Sequence, residues 1–207
     1  PPTTSPTFGL IQETLWHTPF WLLIAVVFLN KTAGRSAVPI FHQLRRLYPT
    51  PEDLAQADHE DLVELIAKLG LQNQRARKLV GIARTWCEDP PKGGRRWRCL
   101  HYPRKGDGKG YKKGEVIEDE DEDEEDDGGG GAADNDDDDD EIHGSLEIAH
   151  IPGLGPYAWD SWRIFCRDVL RGRAEDYNGK GSVQQESSKP FVPEWQRVLP
   201  LDKELRA

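Results

Sequence analysis

Not one methionine occurs among the 207 residues, not even an initiator, so the chain reads as a segment of a longer polypeptide. The abrupt stop at Asp202–Ala207, in what looks like an opening helix, fits that reading. Cysteine is scarce. Cys87, Cys99 and Cys166 are too few and too scattered for a disulfide framework, which points to a reducing compartment. They also lack the C-x2-C spacing of a zinc or iron–sulfur site, so no metal and no cofactor is expected. Long apolar runs are missing as well. The best candidate, Phe20 to Leu29, falls well short of the ~20 residues that span a bilayer, and no membrane partner is expected. The opening P-P-T-T-S-P-T lacks the basic, apolar and small-residue order of a secretory signal. Nothing alternates with period two for long enough to make a convincing strand.

Basic charge also looks deficient, since the formal net charge is −10. The average misleads. Glu115–Glu141 holds 18 acidic residues and no basic one; outside it, 27 basic face 19 acidic residues, a net of +8. The remainder is therefore basic, as a nucleic-acid-binding surface requires.

From Thr7 to Cys87 the pattern is helical almost throughout. Thr18-Pro19 reads as an N-cap and first-turn proline opening an apolar helix through Phe28. Arg35 to Tyr48 repeats apolar residues at helical spacing, and Thr50-Pro51-Glu52-Asp53 is another proline-assisted start. Asp58 caps a helix that Gly70 ends as a left-handed C-cap, and a further helix spans roughly Asn73 to Trp86. Asp89 to Gly144 differs: a Pro- and Gly-rich basic run passes into the acidic tract. Such a block buries too little apolar surface to offset its ordering entropy and reads as a disordered insertion, although the part around Trp97, Leu100 and Tyr102 has the means to fold onto the domain. Helix is expected again at Ser145–His150 and Pro156–Leu170, with a polar linker at Arg171–Lys189. The organisation is thus residues 8–88, helical; 89–144, insertion; and 145–207, the rest of the same domain.

The sharpest local motif is I-P-G-L-G-P-Y, Ile151 to Tyr157. A tight turn between helices presents backbone N–H groups, Gly153 and Gly155 allow close approach of a phosphate, and the following helix N-terminus adds its dipole. Leu154 between them would tuck inward. Such a contact positions DNA without reading it; an ordinary helix–helix turn is the alternative. Asp202, in L-P-L-D-K-E-L, stands at a helix start after Pro200, where ionisation is favoured. By itself it reads better as a simple N-cap.

Taken together, a hairpin followed by a helix-start aspartate resembles the layout of helix-hairpin-helix DNA glycosylases. The likeness is finer than that. L-I-Q-E-T-L-W-H-T-P-F-W-L-L-I-A-V-V-F-L-N-K-T, L-G-L-Q-N-Q-R-A-R-K-L-V, G-L-G-P-Y-A-W-D-S-W-R-I-F-C and V-L-P-L-D-K-E-L resemble the glycosylase domain of the methyl-CpG-binding-domain thymine glycosylase family. They cover Leu10–Trp86 and Ile148–Ala207, all but the insert and the linker. The resemblance implies an all-α, two-lobed fold, interrupted here by the disordered acidic insertion read from composition, and a nucleotide flipped out of the duplex for excision.

It also assigns roles. Asp202 matches the catalytic aspartate, which stabilises an oxocarbenium-like sugar and aligns water. Tyr157 stands where strand-cleaving relatives carry a Schiff-base lysine, so the chain is expected to be monofunctional, with Tyr157 lining the base pocket. Gln12 matches an amide that hydrogen-bonds the pyrimidine edge. Lys31 falls where the family's typical member has an arginine that enters the duplex; lysine lacks the planar fork, a departure that puts the wedge role in doubt. Leu71 and Gln72 match the loop inserted toward the widowed guanine.

The expected function is hydrolysis of thymine or uracil from mispairs with guanine, in base-excision repair, by a nuclear protein acting as a monomer on double-stranded DNA. Its rivals are a glycosylase for another lesion, a catalytically silent helix-hairpin-helix DNA-binding module, and a platform whose acidic tract recruits a basic protein partner.

Overall fold

The computed structural model describes residues 8–118, 144–182, 191–200 and 205. They belong to two compact units, one made of Pro1–Pro91 with Ile151–Ala207, the other of Lys92–His150. The fold is mostly helical with one small sheet. Asp202 and most of the acidic tract lie outside the described residues.

The first unit is organised around α2, Pro19–Leu29. Phe20 through Phe28 are all buried, so this helix is apolar on every side and must be surrounded. Its neighbours are α3 (Gly34–Leu47), α6 (Gln72–Glu88) and α7 (Pro156–Trp162), with the single turn α1 (Gln12–Leu15) against its start. α4 (Pro51–Ala55) and α5 (His59–Ile66) pack on α6. Local chemistry explains their starts. Thr50 accepts from the Asp53 N–H while Asp53 accepts from the Thr50 N–H, a reciprocal capping box, and Asp58 accepts from the N–H groups of Glu60 and Asp61. Thr18 behaves differently from expectation: its hydroxyl donates back to the Leu15 carbonyl and does not cap α2.

α7 continues through a π-helical stretch, Arg163–Arg167, into α8, Asp168–Leu170. The last turn, α9 (Glu194–Arg197), is bolted onto that helix by a buried ion cluster. Glu194 accepts from Arg163 Nε at 2.7 Å and Arg167 Nη1 at 3.0 Å, and its backbone N–H donates to Asp168 Oδ2 at 2.8 Å. Burial opposes ionisation of Glu194, but Arg167 and Arg163 outweigh it and hold the carboxyl below its ordinary value.

The second unit carries the small sheet and overturns one expected helix. β1 (Arg95–Arg98) is the centre of a three-stranded antiparallel sheet between β2 (Val116–Glu118) and β3 (Ser145–Leu146). The fold as a whole stays mostly helical. Ser145–His150, expected as helix, is instead this strand followed by turns, because Ser145 and Leu146 pair with Arg98 and Trp97. The part of the insertion around Trp97 and Tyr102, which has the aromatic residues to fold, does so. Trp97, Cys99, Tyr102, Leu146 and Ile148 are buried, and Trp97 stacks on His150 with ring centroids 3.6 Å apart. The unit thus has a core of its own. Strands of two to four residues are too short to show alternation, and their partners are distant in sequence.

Candidate functional site

Residues far apart in the sequence meet at the start of α7. Gln12, in α1, is 1% exposed, and its Nε2 donates to the Tyr157 hydroxyl at 3.1 Å. Its Oε1 is buried and has no hydrogen-bond partner among the described residues. A buried acceptor left unpaired costs about 1–3 kcal/mol, so such a group calls for a donor from elsewhere. A tyrosine hydroxyl both donates and accepts; whichever amide atom faces it, the other is left over. Tyr157 is half-buried on the first turn of α7.

The hairpin precedes it directly. Gly153 has φ +79°, which favours glycine, and a Cβ there would meet the Lys78 side chain at 3.1–3.4 Å. Leu154 is half-buried and so turns inward only in part. Gly155 has extended backbone, with nothing within 4 Å of where a Cβ would stand. Nothing among the described residues therefore demands glycine at 155. Lys78, on α6, was not singled out from the sequence; its signal, a lysine amid other helical cations, is uninformative until the hairpin is seen against it.

Lys31 and Leu71 share an unusual property. Both have left-handed backbones, at φ 59° and φ 52°, where a side chain costs about 1 kcal/mol or more. Leu71 is 61% exposed and precedes α6, with Gln72 as the helix's first residue; Lys31 is exposed in the turn between α2 and α3. Gly70, expected as the left-handed cap, has φ 73° but ψ 163°, and the left-handed helical conformation falls on Leu71 instead.

One buried side chain holds the turn after α2. Arg75 donates its backbone N–H to the Leu71 carbonyl at 2.9 Å. Its guanidinium donates to the carbonyls of Val27, Phe28 and Asn30 at 2.8–3.0 Å and to Thr32 Oγ1 at 2.6 Å. These acceptors include the carbonyls that a helix C-terminus leaves unpaired, and the cation complements the negative end of the α2 dipole. Arg75 was also missed from sequence, where it is one cation in a run of them.

Residues 24–176 match the family model for the HhH-GPD superfamily base excision DNA repair proteins. The chain belongs to that superfamily. The matched region runs from α2 through the hairpin and α7, and so contains Lys31, Leu71, Arg75 and Tyr157. Among curated relatives, the thymine-DNA glycosylase of Aeropyrum pernix is 38% identical over 66 residues, 32% of this chain and 30% of that protein. Endonuclease III of Thermotoga maritima is 33% identical over 99 residues, 48% of this chain and 46% of its own length. The methyl-CpG-binding domain protein 4-like protein of Arabidopsis thaliana is 28% identical over 88 residues, 42% of this chain and 20% of that protein. The chain thus spans less than half the length of each. A solved thermostable thymine-DNA glycosylase aligns over 38% of this chain and 42% of its own at 26% identity, with a TM-score of 0.33.

Proposed function

We propose that the chain is a monofunctional DNA glycosylase that removes thymine or uracil mispaired with guanine from duplex DNA. The observation that carries this reading is the Gln12–Tyr157 pair with its unpaired buried amide atom. A pyrimidine edge that alternates acceptor and donor completes that amide, and Tyr157 offers an aromatic wall beside it. Membership of a DNA-repair superfamily, and similarity to proteins named thymine-DNA and thymine/uracil-DNA glycosylase, support the same substrate class.

Flipping the nucleotide requires something to fill the gap it leaves. The exposed, left-handed Leu71 is suited to that, with Gln72 behind it and Lys31 on the second turn neutralising phosphate. Gly153, Leu154 and Gly155 would bring backbone N–H groups against the strand. Asp202 is assigned the catalytic carboxylate by resemblance. As the glycosidic bond breaks, the base leaves with the bonding electron pair as its anion and the Asp202 charge stabilises the cationic sugar; water adds at C1′ and gives its proton to the carboxylate, from which it passes through solvent to the departed base, leaving an abasic site and the free base. Tyr157 has no amine to form a Schiff base, so strand cleavage is not part of the reaction. A nuclear location and action as a monomer belong to the same reading.

Single-turnover cleavage of labelled G·T, G·U and A·8-oxoguanine duplexes, read with and without alkali, tests it. Nicking of G·T or G·U only after alkali, lost by on the order of 10³-fold or more in Asp202→Asn, is the expected result. Salt-sensitive binding without product on any duplex would instead indicate a silent DNA-binding module.

A further inference from the structure

The geometry points to a second contact surface for duplex-DNA phosphates, on the loop Cys99–Gly114 of the inserted unit. The inference rests on the reading of DNA as substrate. This loop leaves β1 and returns to it: Arg98 donates its N–H to the Glu115 carbonyl at 2.7 Å and accepts from the Gly114 N–H at 3.0 Å. Cys99 donates to the Gly144 carbonyl at 2.7 Å, and Tyr102, fully buried, anchors the loop from within. Gly108 passes so close to the Cys99 carbonyl that a Cβ would collide with it. The loop is thus built as a closed, ordered platform.

Its charge is one-sided. Sixteen residues carry Arg104, Lys105, Lys109, Lys112 and Lys113 against a single acid, Asp107. That acid serves the loop's own backbone: Asp107 Oδ2 accepts from the Arg104 N–H at 2.8 Å, and its carbonyl accepts from the His101 N–H at 2.8 Å. Lys105, Lys109, Lys112 and Lys113 are all exposed. Four like charges on one small closed loop repel one another, a cost that bound anions relieve. Beside them Arg98 lies 3.6 Å over the ring of Tyr111, itself 46% exposed. Because the loop is ordered beforehand, polyanion binding spends little on ordering it. For a repair-superfamily protein the polyanion met at every encounter is the duplex flanking the lesion. The contact is blind to sequence and to lesion; it adds residence on DNA, not choice of base.

The decisive variant is Lys105→Gln/Lys109→Gln/Lys112→Gln/Lys113→Gln, compared with parent and with the corresponding four-fold Lys→Arg protein. Each is titrated against an undamaged duplex and a G·U duplex between about 50 and 200 mM salt. Each phosphate contact contributes about 0.9 to the slope of log K against log salt, so the glutamine variant should lose roughly 3 to 4 from the slope, while the arginine variant keeps it. In excision assays the loss should appear in the enzyme concentration giving half-maximal rate. An unchanged slope would overturn the proposal. So would tighter binding by the glutamine variant, which would mean that the lysines serve the chain's own acidic residues. Thermal melting establishes that each variant is folded, and Lys112→Gln/Lys113→Gln alone should lose about half the slope change. A parent that binds with the full slope but excises nothing would defeat the glycosylase reading and leave this one standing.

Discussion

Gln12 and Tyr157, 145 positions apart, are joined by a 3.1 Å hydrogen bond that leaves the other end of the Gln12 amide buried and unpaired. An enzyme rarely keeps such a debt inside its core unless a ligand cancels it. Gln12→Ala removes the unpaired group, and so should leave the melting temperature nearly unchanged. It should slow excision of mispaired uracil roughly 10- to 100-fold, the worth of about 1.4–2.7 kcal/mol of hydrogen bonding to the base. Single-turnover rates and melting curves of the same preparation check both halves.

Leu71 predicts a separation of stability from activity. At φ 52° and 61% exposure its side chain contributes strain and little burial. Leu71→Gly relieves about 1 kcal/mol of backbone strain, against which the looser unfolded chain sets about 0.4–1 kcal/mol. The melting temperature should hold or rise slightly, while excision from duplex falls and excision from single-stranded substrate changes far less. Equal losses on both substrates would argue against a wedge.

Arg75 should behave in the opposite way. Arg75→Ala strips the α2–α3 turn of its four side-chain bonds, and buried carbonyls lose their donors, at a cost of about 3 kcal/mol. Arg75→Lys keeps the charge but cannot reach all four acceptors and should recover only part. Hydrogen exchange at Asn30–Thr32, measured under native conditions, should accelerate in both variants, more in alanine than in lysine.

The Glu194 cluster sets an acid limit. A carboxyl held below its ordinary value in the fold adds stability that is complete above the unfolded-state value, about 4.3, and is lost as pH falls through the lower folded one. Glu194→Gln removes the carboxylate that Arg163 and Arg167 share, at about 3–5 kcal/mol near neutrality. The gap in melting temperature between parent and variant should therefore narrow below about pH 4.3. Asp168 runs the other way: burial raises it, so its ionisation costs stability as pH rises through the folded-state value. Asp168→Asn should remove that rise-linked loss while keeping an oxygen to accept from the Glu194 N–H.

Much of this was readable from residue order alone. Proline-assisted starts, the Asp58 cap and apolar spacing are short-range signals; they give the helices because their causes lie within one turn. The family strings likewise named Gln12, Tyr157, Lys31, Leu71 and the hairpin without any coordinates. Tertiary structure alone decided the rest. That Gln12 reaches Tyr157, that Arg75 reaches from α6 to the turn after α2, and that Glu194 seats between Arg163 and Arg167 depend on which helices become neighbours, and a cation's partners cannot be read from its spacing. The left-handed Leu71 is a strain that only surrounding contacts can impose. The basic insertion is the clearest case. Its composition argues for disorder, yet a few buried side chains, Trp97, Cys99 and Tyr102 among them, close a sheet through partners up to about fifty residues away. Average composition weighs every residue alike, whereas folding depends on whether a handful of apolar groups can find one another.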